Sequence, residues 1–327
     1  MKQSQTEKPV ELVAVINSFN RRELLENAVI SLSQALKNAS FGSAIVAFEA
    51  GSTDGSRQFL EYWGSENPDD NLVIVTSAGG KSSFSDGVNA GCAAAVRQFP
   101  ECQWLFLYET DNWLAGAEPL AQAVTLLRNE LQMAAVGFTV RLHDGRFCGY
   151  GMRFPSYTSL VLGQNLSMHW NLNLPNDSSW QMNGSVRWRT CDVVFTSPLL
   201  IRRAAWEQTG GLDVENFPFS DSDVDWAWRA AKLGWKIGVI ETADVVHDNL
   251  QQKSAWSANR VIDFHRSRLR VLKRQRGNRS FLVKPLLALR HCVEIIILSF
   301  KSRYDLAART KLDKRWQMLR SVWADYT

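Results

Sequence analysis

Cysteine is scarce in this chain and shows no order. The five residues, Cys92, Cys102, Cys148, Cys191 and Cys292, are scattered and odd in number. No pair has metal-ligand spacing, so neither a disulfide framework nor a cysteine metal site is indicated, and reduced thiols are expected. Long apolar runs are missing too. No window approaches the roughly 18 uncharged apolar residues of a spanning helix. The opening stretch, MKQSQTEKPVE, has no apolar segment and does not read as a secretory signal. Internal repeats and low-complexity tracts are absent. What remains is ordinary globular composition, 45% hydrophobic and 21% charged over 327 residues, enough for one large α/β domain or two smaller ones.

The net charge is only +4, but it is unevenly spread. From Arg260 onward the chain has 17 Lys and Arg against 5 Asp and Glu, whereas the rest has 20 against 28. A basic tail on an acidic body predicts an anionic partner for the tail.

Strand-like and helix-like segments alternate from the start. ELVAVIN (11–17) reads as a buried strand, and RRELLENAVISLSQAL carries apolar residues at helical spacing. SAIVAFEA (43–50), NLVIVTS (71–77) and QWLFLYE (103–109) read as further strands, with a helix starting in SRQFLEYW and an Ala-rich helix over 85–99. This alternation predicts a mostly parallel sheet flanked by helices. In such sheets ligands sit beyond the carboxyl ends of the strands, so NSFNR, EAGSTDGS and YETDN should converge on one crevice. Residues 139–190 are rich in Gly, Asn, Ser, Trp and Met and read as an insert with hairpins. DSDVDWAWRAAKLGW (221–235) is an amphipathic helix, and KIGVIETADVVHDN (236–249) a strand pair. Helical segments run on from about Arg260.

Four patterns bear on chemistry. Glu109 and Asp111, two apart on an extended chain, point to one side, and two like charges there call for a positive partner. A hard divalent cation would serve; a solvated loop would also tolerate them. EAGSTDGS offers Glu49 and Asp54 to a nucleoside, or is a tight turn with Asp54 capping a helix. Asp221, Asp223 and Asp225 open a helix, as capping charges or with a general base among them. His247 follows a strand, as a structural residue, a metal ligand or a diphosphate contact.

In this order the motifs resemble those of the family 2 glycosyltransferases, over roughly residues 11–250. VINSFNRRELL, AFEAGSTDGS, FLYETDN, GGLDVENFPFSDSDVDWAWRAAKLGWKI and ADVVHDN carry the resemblance. The chain departs from the family pattern at Asn17 (usually Pro), Glu49 (Asp), Ala50 (Asn or Asp), Glu109 (Asp) and Ser222 (Glu). The resemblance implies a GT-A fold with a helical C-terminal extension. The catalytic domain would span 1–250, with a nucleotide-binding half at about 11–112 and an acceptor half at about 113–250, and a basic extension would span 251–327. It also implies inverting transfer from a nucleotide-diphosphate sugar to a glycan or lipid-linked acceptor. Donor contacts fall to Ser18, Asn20, Glu49, Asp54, Asn89 and Asp111. Glu109, Asp111 and His247 are the expected ligands of Mn²⁺ or Mg²⁺. Asp223 is the expected general base, with Asp221 and Asp225 as supporting carboxylates.

Two other readings compete. A nucleotidyltransferase usually carries a Gly-rich basic phosphate loop after its first strand, and NSFNRREL lacks the glycines. A decayed transferase acting as a carbohydrate-binding scaffold has only Ser222 and Ala50 in its favour. Among the 13 tryptophans, Trp170, Trp180, Trp188, Trp226 and Trp228 either cover sugar rings or fill the core. The tail, RVIDFHRSRLRVLKRQRGNR followed by PLLALRHCVEIIILSF, either lies on an anionic membrane surface or packs as a helical pair. No nucleic-acid motif accompanies its charge, so nucleic acid is not an expected partner. A cytoplasmic protein, peripheral on the membrane's cytoplasmic face, is the expectation.

Overall fold

The computed structural model describes residues 8–77, 82–142, 144–145, 147–149, 151–175, 180–194, 197–247, 258–277 and 280–323. The polar N-terminal stretch up to residue 7, and Asp248 beside His247, lie outside these. The chain divides into two compact units. The first comprises Met1–Met152, Pro175–Pro218 and Ser222–Asn249, and the second Arg153–Leu174, Phe219–Asp221 and Leu250–Thr327.

The first unit opens with β1 (Val10–Ser18), whose residues Leu12 to Ile16 are almost wholly buried. An unbroken apolar run fits a strand covered on both faces. Helix α1 (Arg22–Lys37) follows, burying Leu25, Ala28, Val29, Leu32 and Leu36 at helical spacing. β2 (Gly42–Glu49), α2 (Ser56–Glu66) and β3 (Val73–Thr76) continue the alternation. α3 (Phe84–Gln98) starts with a capping box, in which Ser83 and Asp86 bond reciprocally. Its small residues let it lie close on β1. A methyl group at Gly91 would stand 2.5 Å from Val15 Cγ1, and one at Gly87 2.6 Å from Asn17 Oδ1.

β4 (Trp104–Leu107), β5 (Asn112–Leu114), α4 (Glu118–Asn129) and β6 (Met133–Phe138) come next. They are followed by β7 (Val140–Arg141) and β8 (Phe147–Gly149). The unit is completed by β9 (Gln181–Asn183), β10 (Val186–Cys191), β11 (Leu199–Arg202), α6 (Arg203–Thr209), α7 (Ser222–Lys232), β12 (Lys236–Ile240) and β13 (Val245–His247). The main sheet runs β3-β2-β1-β4-β11-β6-β12-β10-β9. β1, β2, β3 and β4 pair in parallel, as do β6 and β12, whereas β11, β10 and β9 pair antiparallel with their neighbours. A second sheet runs β5-β13-β7-β8.

The insert is less uniform than its composition predicts. It holds the β9–β10 hairpin, but also α5 (Tyr157–His169), two helical stretches broken at Gly163. That helical part belongs to the second unit. There it joins α8 (Ala258–Arg276), α9 (Ser280–Lys301) and α10 (Leu306–Val322) around a core of Leu160, Leu269, Leu272, Val283, Leu287 and Val322. Arg290 donates to the Leu160 carbonyl at 2.8 Å, closing over the glycine break. Among the described residues no helix is long and apolar enough to cross a membrane. Cys92, Cys102, Cys191 and Cys292 are free thiols.

Candidate functional site

The chain runs from β1 through β2 to β3 in one direction across the sheet, and β4 lies on the other side of β1. The carboxyl ends of β1 and β4 therefore flank a topological switch point, where α/β sheets leave a crevice. Ser18 and the Asn20–Arg21 turn leave β1 there, and Glu109, Thr110 and Asp111 leave β4. Both segments belong to the first unit.

Arg21 brings a positive group to Asp111. Its Nη1 lies 3.6 Å from Asp111 Oδ2 and 3.3 Å from Thr110 Oγ1. Asp111 is buried, and its Oδ1 accepts no hydrogen bond. Ser18 Oγ, also buried at the same strand end, has no partner either. Both orphans lie beside one crevice, where a ligand would satisfy them. Glu109 is half-buried.

His247 reaches this site through strand pairing. β13 runs antiparallel to β5 with His247 opposite Asn112. Asn112 Nδ2 donates to Ser197 Oγ at 2.6 Å, which turns its Oδ1 toward His247 Nδ1 at 3.0 Å. That nitrogen therefore carries the proton, leaving Nε2 with the lone pair in the neutral ring. The same Nδ1 lies 3.4 Å from Asp111 Oδ1. A buried carboxylate whose Oδ1 makes no regular hydrogen bond suits a hard divalent cation whose other ligands come from phosphate oxygens. Among the described residues no three His, Cys, Asp or Glu side chains cluster as a metal site. Glu109, Asp111 and His247 thus do not form a three-ligand cluster.

The other expected donor contacts are occupied in building loops. Glu49 accepts from the backbone N–H of Gly51 at 3.1 Å and Ser52 at 2.6 Å. Asn20, with φ 49°, accepts from Thr53 N at 2.8 Å, and its own N–H donates to Ser52 Oγ. Asp54 accepts from Arg22 N at 2.8 Å and from the Ser56 hydroxyl at 2.6 Å. Burial alone would raise the Asp54 carboxyl, but the Ser56 hydroxyl and the N–H groups of Arg22 and Ser56 outweigh it and hold the pKa below the usual value. These bonds stitch the β1–α1 turn to the β2–α2 turn. Asn89 clamps the Gly210–Gly211 turn instead, donating to Leu212 O and accepting from Leu212 N, both at 2.9 Å.

The three aspartates around α7 separate into distinct settings. Asp223, in the first turn, is half-buried and accepts from Val224 N at 2.9 Å. Asp225 is almost fully buried and pairs with Arg229 at 2.8 Å, whose guanidinium also binds the carbonyls of Thr209 and Gly211. Asp221 lies in the second unit, in a left-handed conformation (φ 58°), with both oxygens on Arg268 at 2.7 and 3.0 Å. Trp188 and Trp226 fill core positions, Trp180 lies under Arg187 and Arg189, Trp228 under Lys232, and Trp170 is exposed. Arg21, Asn112 and Ser197 do not stand out in the sequence. Only the register of β13 on β5 exposes the role of Asn112.

Solved structures with a similar fold are glycosyltransferases. A mannosyltransferase from Pyrobaculum calidifontis, solved with GDP-Man and Mn²⁺, has a TM-score of 0.56 at 14% identity, over 96% of this chain and 86% of that one. Residues 1–349 of S. aureus TarS, in complex with UDP-GlcNAc, give a TM-score of 0.54 at 12% identity, over 95% and 79%. The fold is GT-A, with a mixed central sheet and C-terminal helices, and the chain is a glycosyltransferase. The chain matches the model of Glycosyltransferase like family 2 over residues 9–280 and belongs to that family. A relative from Mycobacterium tuberculosis, an N-acetylglucosaminyl-diphospho-decaprenol L-rhamnosyltransferase, is 24% identical over 253 residues, covering 74% of this chain and 78% of the relative.

Proposed function

We propose that the protein transfers a sugar from a nucleoside-diphosphate donor to a hydroxyl of a lipid-linked or glycan acceptor, with inversion, in the building of a cell-envelope polysaccharide. The observation that carries this reading is the pair of buried orphans, Asp111 Oδ1 and Ser18 Oγ, at the β1–β4 switch point. The diphospho-decaprenol acceptor in the name of the rhamnosyltransferase above supports a lipid-linked acceptor. Neighbours solved with GDP-Man and UDP-GlcNAc support the donor class.

Asp111 and His247, with Glu109 close by in the chain, would hold a divalent cation, Mn²⁺ or Mg²⁺. Such a cation would neutralise charge building on the leaving diphosphate. Arg21 brings a fixed positive charge to the same spot. Ser18 offers its hydroxyl to the donor, and the stitched loop of Asn20, Glu49 and Asp54 gives the nucleoside a rigid wall. Asp223 takes the acceptor proton as that oxygen attacks the anomeric carbon from the face opposite the diphosphate. Asp225, held by Arg229, fixes the helix that carries the base.

The test is thermal unfolding with UDP, dTDP, GDP and CMP, each with and without Mn²⁺. A ligand at about 100 times its Kd adds roughly 2.7 kcal/mol, which is several degrees for a chain of this size. One nucleotide should stabilise, and more strongly with metal. Asp223→Asn should keep that stabilisation while losing transfer. If no nucleotide shifts the wild-type protein, the donor assignment fails.

A further inference from the structure

Helix α9 carries two faces. One packs inward through Val283, Leu287 and Ile295, with His291 buried among them. The other presents Leu286, Leu289, Val293, Ile296, Ile297 and Phe300, each between 48% and 62% exposed. Steps of three and four along a helix align these six in one stripe. A contiguous apolar stripe of this length on a water-facing surface marks an interaction site.

We infer that this stripe docks the protein on an anionic phospholipid leaflet, with α9 lying in the interface plane. Charge decides the occupant. The segment from Arg260 onward carries 17 basic against 5 acidic residues. Pairing two copies through α9 would bring two such segments together, whereas an anionic leaflet neutralises them. The end of the stripe has interfacial chemistry as well. The Arg303 guanidinium lies 5.5 Å from the centre of the Phe300 ring, Lys301 is exposed beside it, and Tyr304 and Leu306 stand out at 93% and 78% exposure. Aromatic and basic side chains at the end of an apolar face match the headgroup zone. No described helix can span a bilayer, so α9 lies on the surface. The inference rests on the proposed lipid-linked acceptor for its purpose, though not for its observations.

Sedimentation of the full chain with vesicles of phosphatidylglycerol and phosphatidylcholine in equal parts tests it, against pure phosphatidylcholine. Binding should be strong to the anionic vesicles, weak to the neutral ones, and reduced by salt. The triple variant Leu289→Gln, Ile296→Gln, Phe300→Gln changes exposed positions only, and circular dichroism checks its fold. It should bind more than tenfold more weakly. Lys301→Gln and Arg303→Gln should each cost roughly fivefold. Wild-type protein that ignores anionic vesicles, or a folded triple variant that binds them undiminished, overturns the inference. A wild-type dimer made monomeric by the triple variant, with vesicles left untouched, assigns the stripe to a second copy instead. Nucleotide stabilisation is measured without lipid, so a failure there and a failure here are separate results.

Discussion

Two carboxylate clusters, one in each unit, meet their charge differently. Beside the sheet, Asp111 has one distant guanidinium and an oxygen that accepts nothing. In the helical unit, Glu294 sits 2.8 Å from Arg315 and 3.2 Å from Arg290, with His291 at 3.7 Å. Burial alone would raise the Glu294 carboxyl. The nearby His291 ring and the two arginine charges outweigh burial and bring it down to about 2. Burial and the same arginines keep His291 below its usual value, against the pull of Glu294, so the ring is neutral near pH 7. The arginines, not the histidine, therefore carry the compensating charge. A carboxylate gripped by two guanidiniums within 3.2 Å holds helices together, whereas one whose guanidinium stands 3.6 Å off leaves room for a charge that arrives later.

The comparison predicts where activity and stability part. Asp111→Ala should lower transfer by about a thousandfold, as loss of a key electrostatic group does, and leave the unfolding temperature nearly unchanged. A large drop in that temperature would make Asp111 a scaffold residue. Glu294→Gln should do the reverse. It leaves two arginines facing each other without their carboxylate, a loss of about 2–3 kcal/mol for a partly buried site. The unfolding temperature falls by several degrees while nucleotide affinity holds. An unchanged melting curve would remove the helical cluster from the stabilising side of the contrast.

Asn89 gives a finer division. By family resemblance it is a donor contact, yet its amide is committed to both backbone groups of Leu212. Asn89→Ala should cost about 1–2 kcal/mol of stability, the worth of two hydrogen bonds, with no change in nucleotide Kd. Weaker nucleotide binding at unaltered stability would return it to the site.

Local pattern made much of this molecule readable. The apolar runs of β1, β2 and β4 and the turn chemistry after each gave the strand–loop–helix order, and with it the crevice. Asp225 and Arg229 lie one helical turn apart, so their pairing was within reach of spacing alone. Pairings between distant segments were not. Arg21 meets Asp111 across 90 residues, and Asn112 meets His247 only because β13 lies antiparallel on β5. The insert misled because composition alone was its guide. Its Gly- and Asn-rich ends suggest hairpins, while Tyr157–His169 buries Leu160 in the helical core and becomes α5. Asp221 likewise reads as one of three equivalent acids until Arg268, 47 residues on, claims both its oxygens.

The smallest effect belongs to acid. Burial, then the charges of His291, Arg290, Arg315 and Arg268, push His265 in α8 down to about 3. Unfolding returns it to about 6.5. Below that pH the unfolded chain takes up a proton that the folded chain refuses, so stability falls as pH drops from about 6.5 toward 3. Glu294 acts in the same direction at lower pH. Its folded carboxyl stays ionised to about 2, so its contribution is lost as pH falls below about 4.5. Acid should therefore loosen the helical unit. Between pH 6.5 and 5.5 the His265 contribution to the loss approaches about 1 kcal/mol, just under the 1.4 kcal/mol that one pH unit carries for a single proton. His265→Gln should flatten the slope of unfolding free energy against pH in that window. An equal slope in the variant would shift the acid sensitivity to other groups.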